Sequence, residues 1–156
     1  MNLVKALELR IPPLLLTAFF GIGMALVSRA LPSLRADIPA GSPVSIFLAA
    51  AGALLAVVAW MQFRRAQTTV DPRFPSRTAR LVTGGVYRFT RNPMYLGFAL
   101  ALGGWTFWLA HPLSTIGLPL YVAYLDRFQI DPEERSLQQK FAEEFRAYEA
   151  CVRRWI

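Results

Sequence analysis

Residues 92–125 read NPMYLGFALALGGWTFWLAHPLSTIGLPLYVAYL, 34 residues without a formal charge. About 20 mostly apolar residues cross the hydrocarbon core of a bilayer as a helix, so this run is too long for one crossing. His111-Pro112, followed by Ser114, Thr115 and Gly117, offers a break. The run therefore predicts a tight hairpin, one helix over 93–110 and a second over about 113–130, with Pro119 as a kink. His111 stands at that break, and the chain has no second histidine to share a metal. It reads as a polar turn residue at the water interface rather than a ligand or proton relay.

Two further uncharged runs precede it. Residues 11–28 lie between Arg10 and Arg29, with Pro12 and Pro13 suited to a first helical turn. Lys5 and Arg10 ahead of this stretch raise a signal peptide as the rival reading. Its apolar core of about 18 residues exceeds the ~7–15 of a signal sequence, which favours a retained helix. The next run ends at Phe63, with Gly41, Ser42 and Pro43 as its entry, and predicts a span over 41–63. Its middle, Ala49-Ala50-Ala51-Gly52-Ala53 with Ala56 and Ala59, carries small residues that let helices approach closely within or between chains.

Composition agrees. Hydrophobic residues make up 54% and charged ones only 17%, against roughly 25% charged in soluble domains. The net charge of +7 is confined to short segments between the apolar runs, unlike the polar basic surface of a nucleic-acid binder. Cys151 is the lone cysteine, which excludes an intramolecular disulfide framework and a multi-cysteine metal site. The apolar content excludes intrinsic disorder. The reading is an all-α polytopic membrane protein, one domain over 1–156, with about four transmembrane helices.

Charge sets the expected orientation. Arg64, Arg65, Arg73, Arg77, Arg80, Arg88 and Arg91 stand against Asp71 alone in the loop 64–92, whereas the first loop has Arg29 and Arg35. The arginine-rich loop is therefore expected in the cytoplasm, with both termini, and the chain in a cell membrane, expected prokaryotic. After Ile130, Asp131-Pro132-Glu133-Glu134 reads as an Asp cap, a first-position proline and acids in the first turn. Leu137, Phe141, Phe145, Tyr148 and Val152 then follow at helical spacing, predicting a C-terminal cytoplasmic amphipathic helix over 132–152.

Polar turn chemistry gathers on that expected cytoplasmic side. In Leu81-Val82-Thr83-Gly84-Gly85-Val86-Tyr87-Arg88-Phe89-Thr90-Arg91-Asn92-Pro93-Met94-Tyr95-Leu96-Gly97, the glycine pair permits a turn closed to residues with a Cβ. Asn92-Pro93 is a cap and first-position pair whose free N–H groups suit an anion. Arg91 and Tyr95, four apart, share a face if helicity begins early. Taken singly, Asn92 reads as a cap, the tyrosines as interfacial aromatics, and the acids as a helix start.

Taken together, residues 81–97, the Glu133-Glu134 pair and the Phe141-to-Tyr148 segment resemble the isoprenylcysteine carboxyl methyltransferase family of membrane enzymes. More loosely they are similar to phospholipid N-methyltransferases. Leu81-Val82-Thr83, Gly85, Tyr87, Arg91, Pro93, Tyr95 and Gly97 stand where that family's pattern has them. The resemblance covers roughly residues 80–153. It implies S-adenosylmethionine as cosubstrate, with no metal. Leu81 and Val82 would meet its nucleoside, Tyr87 would line the pocket, Asn92, Pro93, Met94 and Tyr95 would hold it at the helix start, and Glu133 would bind it from the C-terminal helix. Arg91 and Glu134 would act in catalysis, either ordering the site or meeting the acceptor. Asn92 replaces a frequent histidine and cannot take a proton at neutral pH, so a mechanism with a base at 92 does not suit this chain.

The implied acceptor is lipophilic or membrane-associated: a prenylcysteine carboxylate, a lipid amine, a small thiol or a quinone-like lipid. Two other readings stand beside this one. Membrane sterol and enone reductases share an Arg-x-Pro-x-Tyr-x-Gly stretch and bind NADPH, but they have more helices and a polar residue where this chain has Phe98. A non-catalytic membrane subunit would use the same residues only at the interface.

Overall fold

The computed structural model describes residues 8–36, 42–66 and 80–156, and every regular element among them is helical. Lys5, residues 37–41 and the loop residues Asp71, Arg73 and Arg77 lie outside the described residues.

Proline starts most of the helices. α1 (Pro13–Ala30), α2 (Pro43–Arg65), α3 (Pro93–Leu109) and the short α4 (Pro112–Thr115) each begin on one. There its missing N–H is a group without a helical partner in any case. Ser42 caps α2 by accepting the Ser45 N–H. α3 ends at Ala110, whose left-handed φ of 49° turns the chain into the expected break. The chain passes from α4 to the next helix through Ile116, between Thr115 and Gly117. Pro119 is the third residue of α5 (Gly117–Leu125), where a missing N–H again breaks no bond.

His111 also departs from expectation. It is a turn residue, but buried, 2% exposed, instead of meeting water. Nδ1 accepts the Ser114 N–H at 3.3 Å as the cap of α4, and Nε2 lies 3.0 Å from the Leu31 carbonyl. One nitrogen accepts and the other donates, which is the neutral ring.

The expected Asp131 cap is absent. α5 runs through a π-helical segment, Asp126–Ile130, straight into α6 (Asp131–Cys151), and Asp131 has ordinary helical angles. Pro132 has no N–H for the Phe128 carbonyl four residues earlier. The wider π turn accommodates it, and the Leu9 N–H takes that carbonyl at 2.9 Å. Along α6, Phe145 is buried and Leu137, Phe141, Tyr148 and Val152 half-buried; the helix kinks at Ala142.

α1 and α2 are each long and apolar enough to cross a membrane. Phe19 and Phe47 are 72% and 71% exposed, and Leu14, Ile22, Leu26, Ile46, Leu54 and Val57 also point outward. So continuous an apolar exterior belongs in hydrocarbon rather than water. α2 and α3 pack antiparallel through small residues: Ser45 and Ala49 face Gly104, while Gly52 and Ala56 face Gly97. Polar bonds tie α1 to the rest, from Trp105 Nε1 to the Gly21 carbonyl (3.0 Å), between Thr17 and Tyr121 (2.7 Å), and from Ser114 Oγ to the Met24 carbonyl (2.8 Å). α1 starts, α2 ends, α3 starts and the π segment lies at one end of this bundle. His111 lies at the other, about 25 Å away along α3.

Candidate active site

At the end where α3 begins, a 3₁₀ turn, Gly85–Arg88, leads toward the helix. Gly85 has a φ of 59°, and a Cβ there would collide with Gln62. Gly84 is extended with open space around it, so only Gly85 of the expected pair needs to be glycine. The Gln62 amide, with its nitrogen toward the turn, donates to the Gly84 carbonyl (3.1 Å) and accepts the Val86 N–H (3.2 Å). The turn is thereby pinned to the end of α2. Tyr87 follows, buried, its ring edge-on to Phe63 at 5.2 Å and its carbonyl accepting the Tyr148 hydroxyl at 2.7 Å. Leu81 and Val82 lead into this turn half-buried.

The two acids of α6 differ. Glu134 is buried and accepts from Arg91 Nε at 3.1 Å and from Arg154 Nη2. Arg91 also reaches the Glu149 carboxylate (3.3 Å) and the Val152 carbonyl (2.8 Å), so both intended catalytic residues are held within the protein. Glu133 is half-buried and accepts the Tyr95 hydroxyl at 3.0 Å; among the described residues no cation pairs with it. Burial pushes its carboxyl up to about 7, with the charge of Glu134 adding and the Tyr95 bond opposing. Burial likewise raises the Tyr87 hydroxyl, and takes that of Tyr148 up to about 12.

Asn92 occupies the cap position of α3, but its side chain makes no capping bond. Thr90 Oγ1 accepts the Asn92 N–H at 3.2 Å instead. The Asn92 amide reaches outward and donates to the Arg154 carbonyl at 3.1 Å. The same carbonyl accepts from Thr90 Oγ1 (3.1 Å), and the Arg91 N–H donates to the Arg153 carbonyl (2.9 Å). Pro93 is buried and Met94 half-buried behind this contact.

The structure thus joins Tyr95 to Glu133, Arg91 to Glu134, and Asn92 to the segment 152–155. Arg154, Thr90 and Gln62 were not legible as site residues. Of these, only Gln62 carried a signal: a polar amide near the end of an apolar run is a functional pointer in a membrane helix. Chemically, the Glu133 carboxyl, hydrogen-bonded to Tyr95 near the start of α3 and without a cation among the described residues, has the chemistry to accept a cationic group.

A family model described as phospholipid methyltransferase matches residues 42–144. A Haemophilus influenzae protein described as uncharacterized is 41% identical over 63 residues, 40% of this chain and the whole of that protein. Two rice proteins, from Oryza sativa subspecies indica and japonica, are 38% identical over 69 residues. Each is described as a probable protein-S-isoprenylcysteine O-methyltransferase, and the match covers 44% of this chain but 36% of theirs. No solved structure matches.

Proposed function

The chain belongs to the phospholipid methyltransferase family, and we propose that it moves a methyl group from S-adenosylmethionine to a lipophilic or membrane-associated acceptor. The acceptor class is a prenylcysteine-like carboxylate, a lipid or a small thiol. The observation that supports this reading is the contrast between the paired acids: two guanidiniums pair with Glu134, while Glu133 accepts the Tyr95 hydroxyl and has no cation partner among the described residues.

When bound, S-adenosylmethionine supplies a methyl group activated by its sulfonium. Glu133 receives the ammonium or the ribose hydroxyls. Tyr87 and Tyr95 present aromatic faces to positive charge, and the N–H groups of Met94 and Tyr95 at the start of α3 receive a carboxylate. Leu81 and Val82 give the nucleoside an apolar wall, with Pro93 and Met94 completing the seat. Arg91 and Glu134 order the site. Their role is to fix α6 against α3 so that the transfer is in line. Exclusion of water strengthens these charge contacts and favours methylation of an anionic acceptor.

The membrane setting fits such an acceptor. In this reading residues 93–110 and 113–130 also cross, giving four spans with the site, both termini and the amphipathic α6 on the cytoplasmic side. A lateral apolar groove between α1 and α3, lined by Thr17, Gly21, Ile22, Leu102 and Trp105, supports approach of an apolar tail from the bilayer.

Thermal unfolding of the purified protein with added ligand tests the reading. S-adenosylhomocysteine at 100 times its Kd is expected to add about 2.7 kcal/mol. Stabilisation by NADPH instead would move the chain to the reductase class, and stabilisation by neither would leave a non-catalytic subunit.

A further inference from the structure

We propose that Arg154 is a positioning residue of the site: its guanidinium neutralises Glu134 so that Glu133 is the acid left for a cationic ligand group, while its carbonyl fixes the Asn92 amide. The inference rests on the methyltransferase reading.

Three observations carry it. Arg154 touches both halves of the motif, the start of α3 through its backbone and the start of α6 through its side chain. Its guanidinium lies among three carboxylates, Glu134, Asp131 at 3.0 Å and Asp126 at 3.7 Å. Trp155, the next residue, packs on the apolar core and donates from Nε1 to Asp126 at 3.1 Å, which keeps the segment in place.

The electrostatics follow from adjacency. Two neighbouring carboxylates at a half-buried site resist joint ionisation. Arg91 and Arg154 relieve this by settling the charge of Glu134, so that Glu133 loses its proton more readily. The groups facing Glu133 are Tyr95 from α3, Tyr87 from the 3₁₀ turn and Glu134 on its own helix. Behind Glu134 stand Arg91 and Arg154, flanked by Glu149, Asp131 and Asp126. Tyr148 completes the surroundings, close enough to feel Arg91. Of the cations in this set, Arg154 is the one that also meets Asp131 and Asp126, so its charge is shared among three carboxylates.

The test is the affinity of the full chain for S-adenosylhomocysteine from pH 5.5 to 8.5, with melting temperature measured alongside. Wild-type affinity is expected to rise with pH as Glu133 ionises. Arg154→Gln is expected to move the midpoint of that rise upward by about one pH unit, weakening binding about tenfold near pH 7 and much less at pH 8.5. Arg154→Lys keeps the charge and is expected to keep the midpoint. If Arg154→Gln fails to fold, Asp131→Asn carries the test. It releases Arg154 toward Glu134 and is expected to move the midpoint downward.

A merely structural role lowers melting temperature and affinity by one factor at every pH, and an unmoved midpoint in the folded variants overturns the proposal. If the wild type binds S-adenosylhomocysteine and only the midpoints fail to move, Arg154 alone is misassigned. Wild type that binds none at any pH overturns the methyltransferase reading, and this inference with it.

Discussion

Replacing Gly97 by Ala tests the close crossing that places the start of α3. A Cβ there would lie 2.6 Å from the Gly52 carbonyl oxygen, 2.8 Å from the Ala56 nitrogen and 3.0 Å from the Ala56 Cβ. Gly52 meets the same problem in return, at 2.4 Å from the Gly97 oxygen and 2.6 Å from the Ala101 nitrogen. These obstacles are backbone atoms and one Cβ, so no rotamer change relieves them. Ordinary contact begins at 3.4 Å, so α2 and α3 must separate by roughly 1 Å. Such overpacking costs about 1–3 kcal/mol, offset by up to ~1 kcal/mol of better helix propensity. The expected net loss is about 1–2 kcal/mol, or roughly 2–8 °C in melting temperature. Gly23→Ala is the control, because nothing lies within 4 Å of that position, and it should be neutral or mildly stabilising. The double variant Gly52→Ala, Gly97→Ala should cost less than the sum, since one separation relieves both clashes. Tryptophan fluorescence melts in nanodiscs read the wild type, the control, the double variant and its two single variants. Gly97→Ala as stable as Gly23→Ala, or fully additive losses, would refute the reasoning.

Glu133→Gln should stabilise the ligand-free protein above pH 7. The native acid holds its proton to about 7 and the unfolded one only to about 4.5, so wild-type stability falls as pH rises through that window. The variant should lack this slope, gain roughly 1–3 kcal/mol at neutral pH by denaturant melts, yet lose S-adenosylhomocysteine affinity in calorimetry. Asn92→Ser should bind more weakly than wild type at little cost in melting temperature, because Ser suits the cap position but is too short for the Arg154 carbonyl. Tyr95→Phe should retain most affinity and Tyr95→Leu little, if the ring face rather than the hydroxyl meets the ligand. In a Cys151→Ser background, cysteine at Gly84 should resist impermeant thiol reagents in intact cells and cysteine at Ser114 should label; the reverse pattern would invert the orientation.

The helices were legible because their signals are local. Uncharged runs and the prolines at 13, 43, 93 and 112 mark starts that need no tertiary partner to act. Tyr95 and Glu133, which the fold joins by a hydrogen bond, both belong to the motif. The rest depends on contacts across the chain. Asp131-Pro132 looks like a helix start, and only the Leu9 N–H on the Phe128 carbonyl explains how the helix continues through it. His111 looks like a surface turn until the Leu31 segment closes over it. Asn92 carries cap chemistry, yet its amide serves a carbonyl 62 residues away, and no spacing rule reaches that far.

That separation also has a meaning in time. A ribosome adding about 5–20 residues per second needs roughly 3–12 s to pass from Asn92 to Arg154. During those seconds α1 and α2 already exist and α3 is being completed, while Asn92 at its start still lacks the backbone acceptor for its amide. On the proposed reading, the helices of the bundle therefore precede the binding site, which is completed only when the segment after α6 docks.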